Sequence, residues 1–259
     1  MKDTAHLPTE LINFIKIYDQ RRSLAIPGDK EHTIEFCIAH FIAIASDAIA
    51  KRGFFTVALS GGQTPKAIFS GLANKENRHQ IDWKKCRIFW SDERAVDPID
   101  PDSNYHMAME SGLKELGIPP DQVFRMVAET KIEENALAYE KTIKKHVPNA
   151  QFDLVMLGMG DDGHTASLFP WTEGLRAVNR LAIANYIPEK KTWRMSLTFD
   201  CINAARQIAI YVIGENKAEM LKRVLSDPYR PDDLPVQRVG TTDHPATWIA
   251  DKAAAKELF

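Results

Sequence analysis

Residues 32–72 read HTIEFCIAHFIAIASDAIAKRGFFTVALSGGQTPKAIFSGL, and the fold is decided in this stretch. Apolar residues at Ile34, Ile38, Phe41, Ala45, Ala48 and Ile49 recur at helical spacing, and the pattern stops at Gly53. A glycine just past the last turn ends a helix readily, because it enters the left-handed region without a Cβ clash. FFTVALS then gathers β-favouring and apolar residues in a run too short for a helix, which predicts a buried strand. GGQTP turns the chain, with Thr64 suited to an N-cap and Pro65 to the first helical position, so a second helix is expected there.

The cycle recurs. CRIFW (86–90), FDLVMLG (152–158), LAIANY (181–186), MSLTF (195–199), QIAIYVIG (207–214) and ATWIA (246–250) are predicted strands. NYHMAMESGLKEL (104–116), KIEENALAYEKTIKKHV (131–147), ENKAEMLKRVL (215–225) and DKAAAKEL (251–258) are predicted helices. Strands alternating with helices predict an α/β fold with parallel pairs, since parallel neighbours need a crossover between them. SDPYRPDDLP (226–235) suits a surface connection better than a domain linker. Residues 1–259 are therefore expected to form a single α/β domain, with residues 1–20 adding a peripheral helix.

With 44% hydrophobic and 26% charged residues over 259 positions, the composition is that of an ordinary globular chain. A formal net charge of −2 supplies no overall field for nucleic acid or an anionic membrane, so neither is an expected partner. No run approaches the roughly 18–20 apolar residues of a membrane span, and the N-terminus shows no signal-peptide pattern, so the cytoplasm is expected. Cys37, Cys86 and Cys201 sit apart in apolar runs and read as buried thiols in a reducing compartment. A monomer or weak homo-oligomer is the expected assembly.

Open parallel sheets bind ligands at the carboxyl ends of their strands, where the strand order reverses. Four polar loops follow predicted strands and meet at that edge if the strands run parallel. In LSGGQTP, around Ser60, Gly61, Gly62 and Thr64, the glycines let backbone N–H groups approach a ligand, and the next helix aims its positive end there; this suits a phosphate. A glycine turn capped by Thr64, with no ligand, accounts for the same residues. No Gly-Lys-Ser/Thr closes the loop, so it is not a Walker A motif.

WSDERAVDPIDPDSNY (90–105) surrounds Arg94 with carboxylates. A guanidinium can bind phosphate at two points, with Asp92 beside it as a substrate contact; an ion pair of Arg94 with Asp92 or Asp97 is the alternative. Only His106 lies nearby, and metal sites more often show histidines at fixed spacing, so no metal is expected. GMGDDGHTASLFP (158–170) sets Asp162 and His164 among three glycines, and its HTASL reads as the beginning of a helix. An imidazole titrates near ~6.5, which suits it to take a proton from water; a structural role is the alternative. In YVIGENKAEML (211–221), Lys217 falls in a helix's first turn, where negative charge is favoured. A cation there makes sense facing a bound anion, and a solvated lysine is the alternative. Arg194 starts the strand of WRMSLTF, at the rim of the same site.

Together, LSGGQTP, WSDERAVDPIDPDSNY, FDLVMLGMGDDGHTASLFP, RMSLTF, NAARQIAIYVIGENKAEMLKRVL, LPVQRV and TWIADKAAA, spread over residues 30–258, make the chain resemble the 6-phosphogluconolactonases. The resemblance implies a Rossmann-like, mostly parallel sheet flanked by helices, as in glucosamine-6-phosphate deaminases and ribose-5-phosphate isomerases. It implies cofactor-free hydrolysis of a small sugar-phosphate lactone, 6-phospho-D-glucono-1,5-lactone. His164 falls on the family's base, Arg94 and Lys217 on its phosphate ligands, and Ser60 to Thr64 on its phosphate cradle. Asp162 would orient the imidazole or hold a sugar hydroxyl. Gln63 departs from a common serine, and Trp171 follows LFP where a glycine is more usual. The related deaminases carry Asn-Phe/Met-Asp-Glu-Tyr in place of WSDER and Phe-Asn-Glu-Pro in place of SLFP. Ring-opening chemistry is thus the nearest rival, and a non-catalytic sugar-phosphate sensor the next.

Overall fold

A computed structural model describes residues 7–258. Its strands are β1 (Ile15–Ile17), β2 (Arg22–Ala25), β3 (Phe55–Leu59), β4 (Cys86–Trp90), β5 (Asp92–Arg94), β6 (Leu154–Gly158), β7 (Ala182–Ile187), β8 (Thr192–Leu197), β9 (Gln207–Val212) and β10 (Ala246–Ala250). The α-helices are α1 (Thr9–Ile12), α2 (Lys30–Arg52), α3 (Gln63–Ala73), α4 (Asn104–Glu110), α5 (Ile132–His146), α6 (Phe199–Asn203) and α7 (Ala218–Ser226).

Seven strands form a sheet in the order β1-β2-β10-β9-β6-β3-β4, parallel except for β1 at the edge. β3 and β6 lie inside it, and their side chains, Phe55, Val57 and Leu59 with Leu154 and Met156, are buried. Strands covered on both faces need such continuous apolar runs. From β3 the chain steps outward to β4, then returns across β3 to β6. The order therefore reverses between β3 and β6, and their carboxyl ends open a crevice. Residues 60–62 and 159–168 lie just beyond those two ends.

A second, antiparallel sheet has the order β5-β8-β7. LAIANY and MSLTF are strands as expected, but they pair with each other as a hairpin through a turn at Pro188–Lys190, which needs no crossover. SDER, expected as loop, supplies the short third strand. At the N-terminus, residues 1–6 lie outside the described residues. The rest of that segment is one helical turn and an edge strand in place of the expected peripheral helix. DKAAAKEL runs in turns, its first residue Asp251 accepting from the N–H groups of Gly214 (3.1 Å) and Ala254 (2.8 Å).

α2 follows its sequence closely. Asp29 caps the first turn by accepting from His32 N–H at 3.1 Å, and Gly53 closes the last at φ +83°. At 23 residues, it is long and apolar enough to cross a membrane, contrary to the expectation that no run approached that length. Its composition answers to the core: Phe36, Phe41, Ile44 and Ala48 are buried in the main hydrophobic cluster.

α2 also buries His40, whose two ring nitrogens have no hydrogen-bond partner among the described residues. Burial pulls this imidazole down from 6.5 to about 4. Between those values the unfolded chain binds the proton and the folded one does not. Stability is therefore complete above pH 6.5 and falls as pH drops toward 4, by roughly 3 kcal/mol. Denaturant titrations across that window should show this slope, and His40→Leu should flatten it.

Candidate active site

The loop after β6 is a set of tight turns. Gly160 N–H donates to the His164 carbonyl at 2.8 Å, Gly163 N–H to the Gly160 carbonyl at 3.1 Å, and Thr165 Oγ1 to the Gly158 carbonyl at 2.8 Å. HTASL is consequently not a helix start; Ala166 sits at φ +47°, and Thr165 bridges to Leu168. This winding folds His164 back onto Asp162. Its Nδ1 lies 2.5 Å from Asp162 Oδ1, which also accepts from His164 N–H at 3.1 Å. The ring stacks on Phe169, with centroids 3.9 Å apart.

A carboxylate can only accept, so Nδ1 carries a proton, and in the neutral ring Nε2 keeps its lone pair. Burial works against the Asp162 charge, but the hydrogen bonds and field of His164 outweigh it and hold the carboxyl below its ordinary value. Asp162 thus hydrogen-bonds the imidazole, the contact that the first of its two expected roles requires. A Cβ on Gly160 would lie 2.0 Å from His164 Nδ1 and 2.6 Å from Asp162 Oδ1. Gly160→Ala should displace this pair and lower kcat about 10- to 10²-fold with little change in Tm, read by steady-state kinetics and a thermal melt.

A buried polar chain fastens the other loops to this one. Asp92 Oδ2 accepts from Ser167 Oγ at 2.7 Å, and Asn104 Nδ2 reaches Asp92 Oδ1 at 3.2 Å and the Asp92 carbonyl at 3.0 Å. Asn104 in turn lies against Gly61, where a Cβ would stand 1.9 Å from its Oδ1. Each oxygen of the Asp92 carboxylate thus accepts from a protein donor and ties the loops together. Glu93, also buried, accepts from Ser103 Oγ (3.0 Å) and from the N–H groups of Asn104 (2.7 Å), Tyr105 (2.8 Å) and Arg94 (2.8 Å). Burial raises its pKa despite those four donors.

Arg94 on β5 and Arg194 on β8 are register partners on adjacent antiparallel strands. Directly opposed residues have Cβ atoms about 4.5–5.5 Å apart on one face, and like charges there repel. Arg94 donates from Nη1 to the Asp102 carbonyl at 2.5 Å, so the alternative of an ion pair with Asp92 or Asp97 is not what forms. Among the described residues neither guanidinium forms an ion pair with a carboxylate, although Asp92, Glu93 and Asp102 lie close enough to favour the Arg194 charge. Burial, reinforced by the Arg94 charge, lowers the Arg194 pKa.

Lys217 reaches back to the histidine loop, its Nζ 2.9 Å from the Met159 carbonyl and 2.6 Å from Asp161 Oδ1. It precedes α7 at the end of a 3₁₀ turn. α3 begins at Gln63 with Gly62, at φ +101°, in the capping position. The helix therefore starts two residues earlier than expected, and Thr64 and Pro65 are the second and third residues of its first turn. The N–H of Lys66 is bonded to the Gly62 carbonyl, Pro65 has none, and the N–H groups of Gln63 and Thr64 are the open donors of a helix start. Ser60 is buried beside them, its Oγ 3.4 Å from the Gly61 carbonyl. No cluster of three metal-ligating side chains occurs among the described residues.

The structure thus links His164, Asp162, Arg94, Arg194, Lys217 and the Ser60–Thr64 loop at one sheet edge, through contacts that also involve Asp161, Asn104 and Ser167. Those last three, with Glu93 and Phe169, were not singled out from sequence. Ser103 at an N-cap, accepting from His106 N–H, was the readable signal for the turn holding Asn104.

Residues 28–248 match the family described as glucosamine-6-phosphate isomerases/6-phosphogluconolactonase. A 6-phosphogluconolactonase of Chlamydia trachomatis is 41% identical over 248 residues, covering 95% of this chain and 94% of that one. One of Haemophilus influenzae is 36% identical over 202 residues, covering 78% and 87%. Among solved structures, the 6-phosphogluconolactonase of Trypanosoma brucei superposes with a TM-score of 0.79 at 25% identity, covering 91% and 98%. That of Thermotoga maritima gives 0.77 at 26%, covering 90% and 100%.

Proposed function

The chain belongs to the glucosamine-6-phosphate isomerase/6-phosphogluconolactonase family, and from that premise we propose that it hydrolyses 6-phospho-D-glucono-1,5-lactone to 6-phosphogluconate, a step of the oxidative pentose phosphate pathway. A δ-lactone is an activated ester, so a positioned water suffices and no covalent nucleophile is needed. His164 Nε2 takes a proton from water as its oxygen bonds to the carbonyl carbon. The carbonyl electron pair moves to oxygen, where backbone N–H groups of the glycine loops are the natural donors. When the carbonyl re-forms, the bond to the ring oxygen breaks and His164 returns the proton to that oxygen. Asp162 stabilises the imidazolium between the two transfers.

Arg94, Arg194, Lys217 and the free N–H groups of α3 hold the remote phosphate, which fixes the carbonyl near the base. The observation that carries the proposal is the opposed Arg94–Arg194 pair, which forms no ion pair among the described residues, on a strand that the Asp92–Ser167 hydrogen bond ties to the histidine loop. All of these groups come from one chain, so the reaction needs no second copy. The three free, buried cysteines fit a reducing cytoplasm.

The test is incubation with freshly generated 6-phosphogluconolactone, corrected for spontaneous hydrolysis, beside glucosamine 6-phosphate assayed for ammonia. Enzymatic acid release without ammonia is expected. Ammonia release without lactonase activity would move the chain to ring-opening chemistry.

A further inference from the structure

Lys217 carries a carboxylate where a ligand phosphate is needed. Its ammonium has three N–H donors; one is committed to the Met159 carbonyl and one to Asp161 Oδ1 at 2.6 Å. The Lys217 side chain is 21% exposed, whereas that of Asp161 is 78% exposed. Lys217 is the one partner the structure gives the Asp161 carboxylate among the described residues. This differs from Asp162, next in the chain, which is spent on His164. An exposed pair of this kind adds little to stability. A fixed negative charge on an anion-binding lysine also opposes the ligand it awaits.

We propose that Asp161 is a built-in competitor of the ligand phosphate for Lys217, and so an affinity-setting residue of the site. In the empty site its carboxylate holds the ammonium toward the crevice in place of a phosphate oxygen. When the phosphate arrives it takes over Lys217, and Asp161, on the exposed side, swings away into water. Because both ligands are anions, the same charge speeds product departure, and more so once hydrolysis has added a carboxylate to the product. The inference rests on the reading of Lys217 as a phosphate anchor.

The test uses inorganic phosphate as a competitive inhibitor of the full chain, with Asp161→Asn and Lys217→Ala as variants. Asp161→Asn should lower the phosphate Ki and the KM for the phosphorylated lactone by about three- to tenfold. A gain in affinity is a result that damage to the fold would not give. If Asp161 instead only aligns Lys217, the Ki will stay the same or rise in Asp161→Asn, and the inference is overturned. Lys217→Ala separates the two layers. A weakened Ki there keeps the anchor whatever Asp161→Asn does, whereas an unchanged Ki removes the anchor and the inference with it.

Discussion

Replacing His164 with alanine should lower kcat for the phosphorylated lactone by about 10²–10⁴-fold, the usual worth of a general base, while KM changes little. Nδ1 is tied to Asp162, which leaves Nε2 as the proton acceptor. The imidazole is otherwise held by stacking on Phe169, so alanine removes the base without removing any cation. Residual turnover should come from positioning and oxyanion donors. A folded His164→Ala variant with wild-type kcat would remove the base from the mechanism.

The double variant Arg94→Ala/Arg194→Ala should lower kcat/KM for the phosphorylated lactone by about 10²–10⁴-fold, because each charge-assisted hydrogen bond contributes about 1.5–3 kcal/mol. Most of the loss should appear in KM. The same variant should change Tm little. Two guanidiniums at register positions repel across the small sheet when no anion bridges them, and the attraction of Asp92, Glu93 and Asp102 offsets that repulsion. A pair built for the fold would behave oppositely, losing stability and leaving KM alone. Thermal melts with and without inorganic phosphate, run beside the kinetics, distinguish the two.

The parallel core was legible because β3 and β6 are buried on both faces, which forces apolar runs such as TVAL and LVML. The site's edge then followed from a general property of open sheets. Strand direction left no such mark: LAIANY and MSLTF show the same apolar character whether they join a parallel sheet or fold as a hairpin. HTASL misled because threonine, alanine and serine tolerate a helix. The hydrogen bonds that wind it into turns, such as Thr165 Oγ1 to the Gly158 carbonyl, use partners that a helix reading does not consider.

The contacts that join the loops were illegible for a different reason. Ser167 and Asp92 stand 75 positions apart, and Lys217 and Asp161 stand 56 apart. Neither pair has a spacing that suggests contact. Glu93 looked like one more surface carboxylate, yet it is 4% exposed and anchors the turn into α4. At Trp171 the usual glycine has a physical reason, since the residue sits at φ +59°. The chain holds a tryptophan there in a conformation that favours glycine.

The account depends on one substrate being held by its phosphate at the two arginines and Lys217 while its carbonyl meets His164. The ratio of kcat/KM for 6-phosphogluconolactone to that for unphosphorylated gluconolactone, both corrected for spontaneous hydrolysis, measures this directly. The account predicts a ratio of at least about 10² for the wild type, from two or more charge-assisted contacts, falling toward one in the double-arginine variant. Equal rates on the two lactones in the wild type would contradict it.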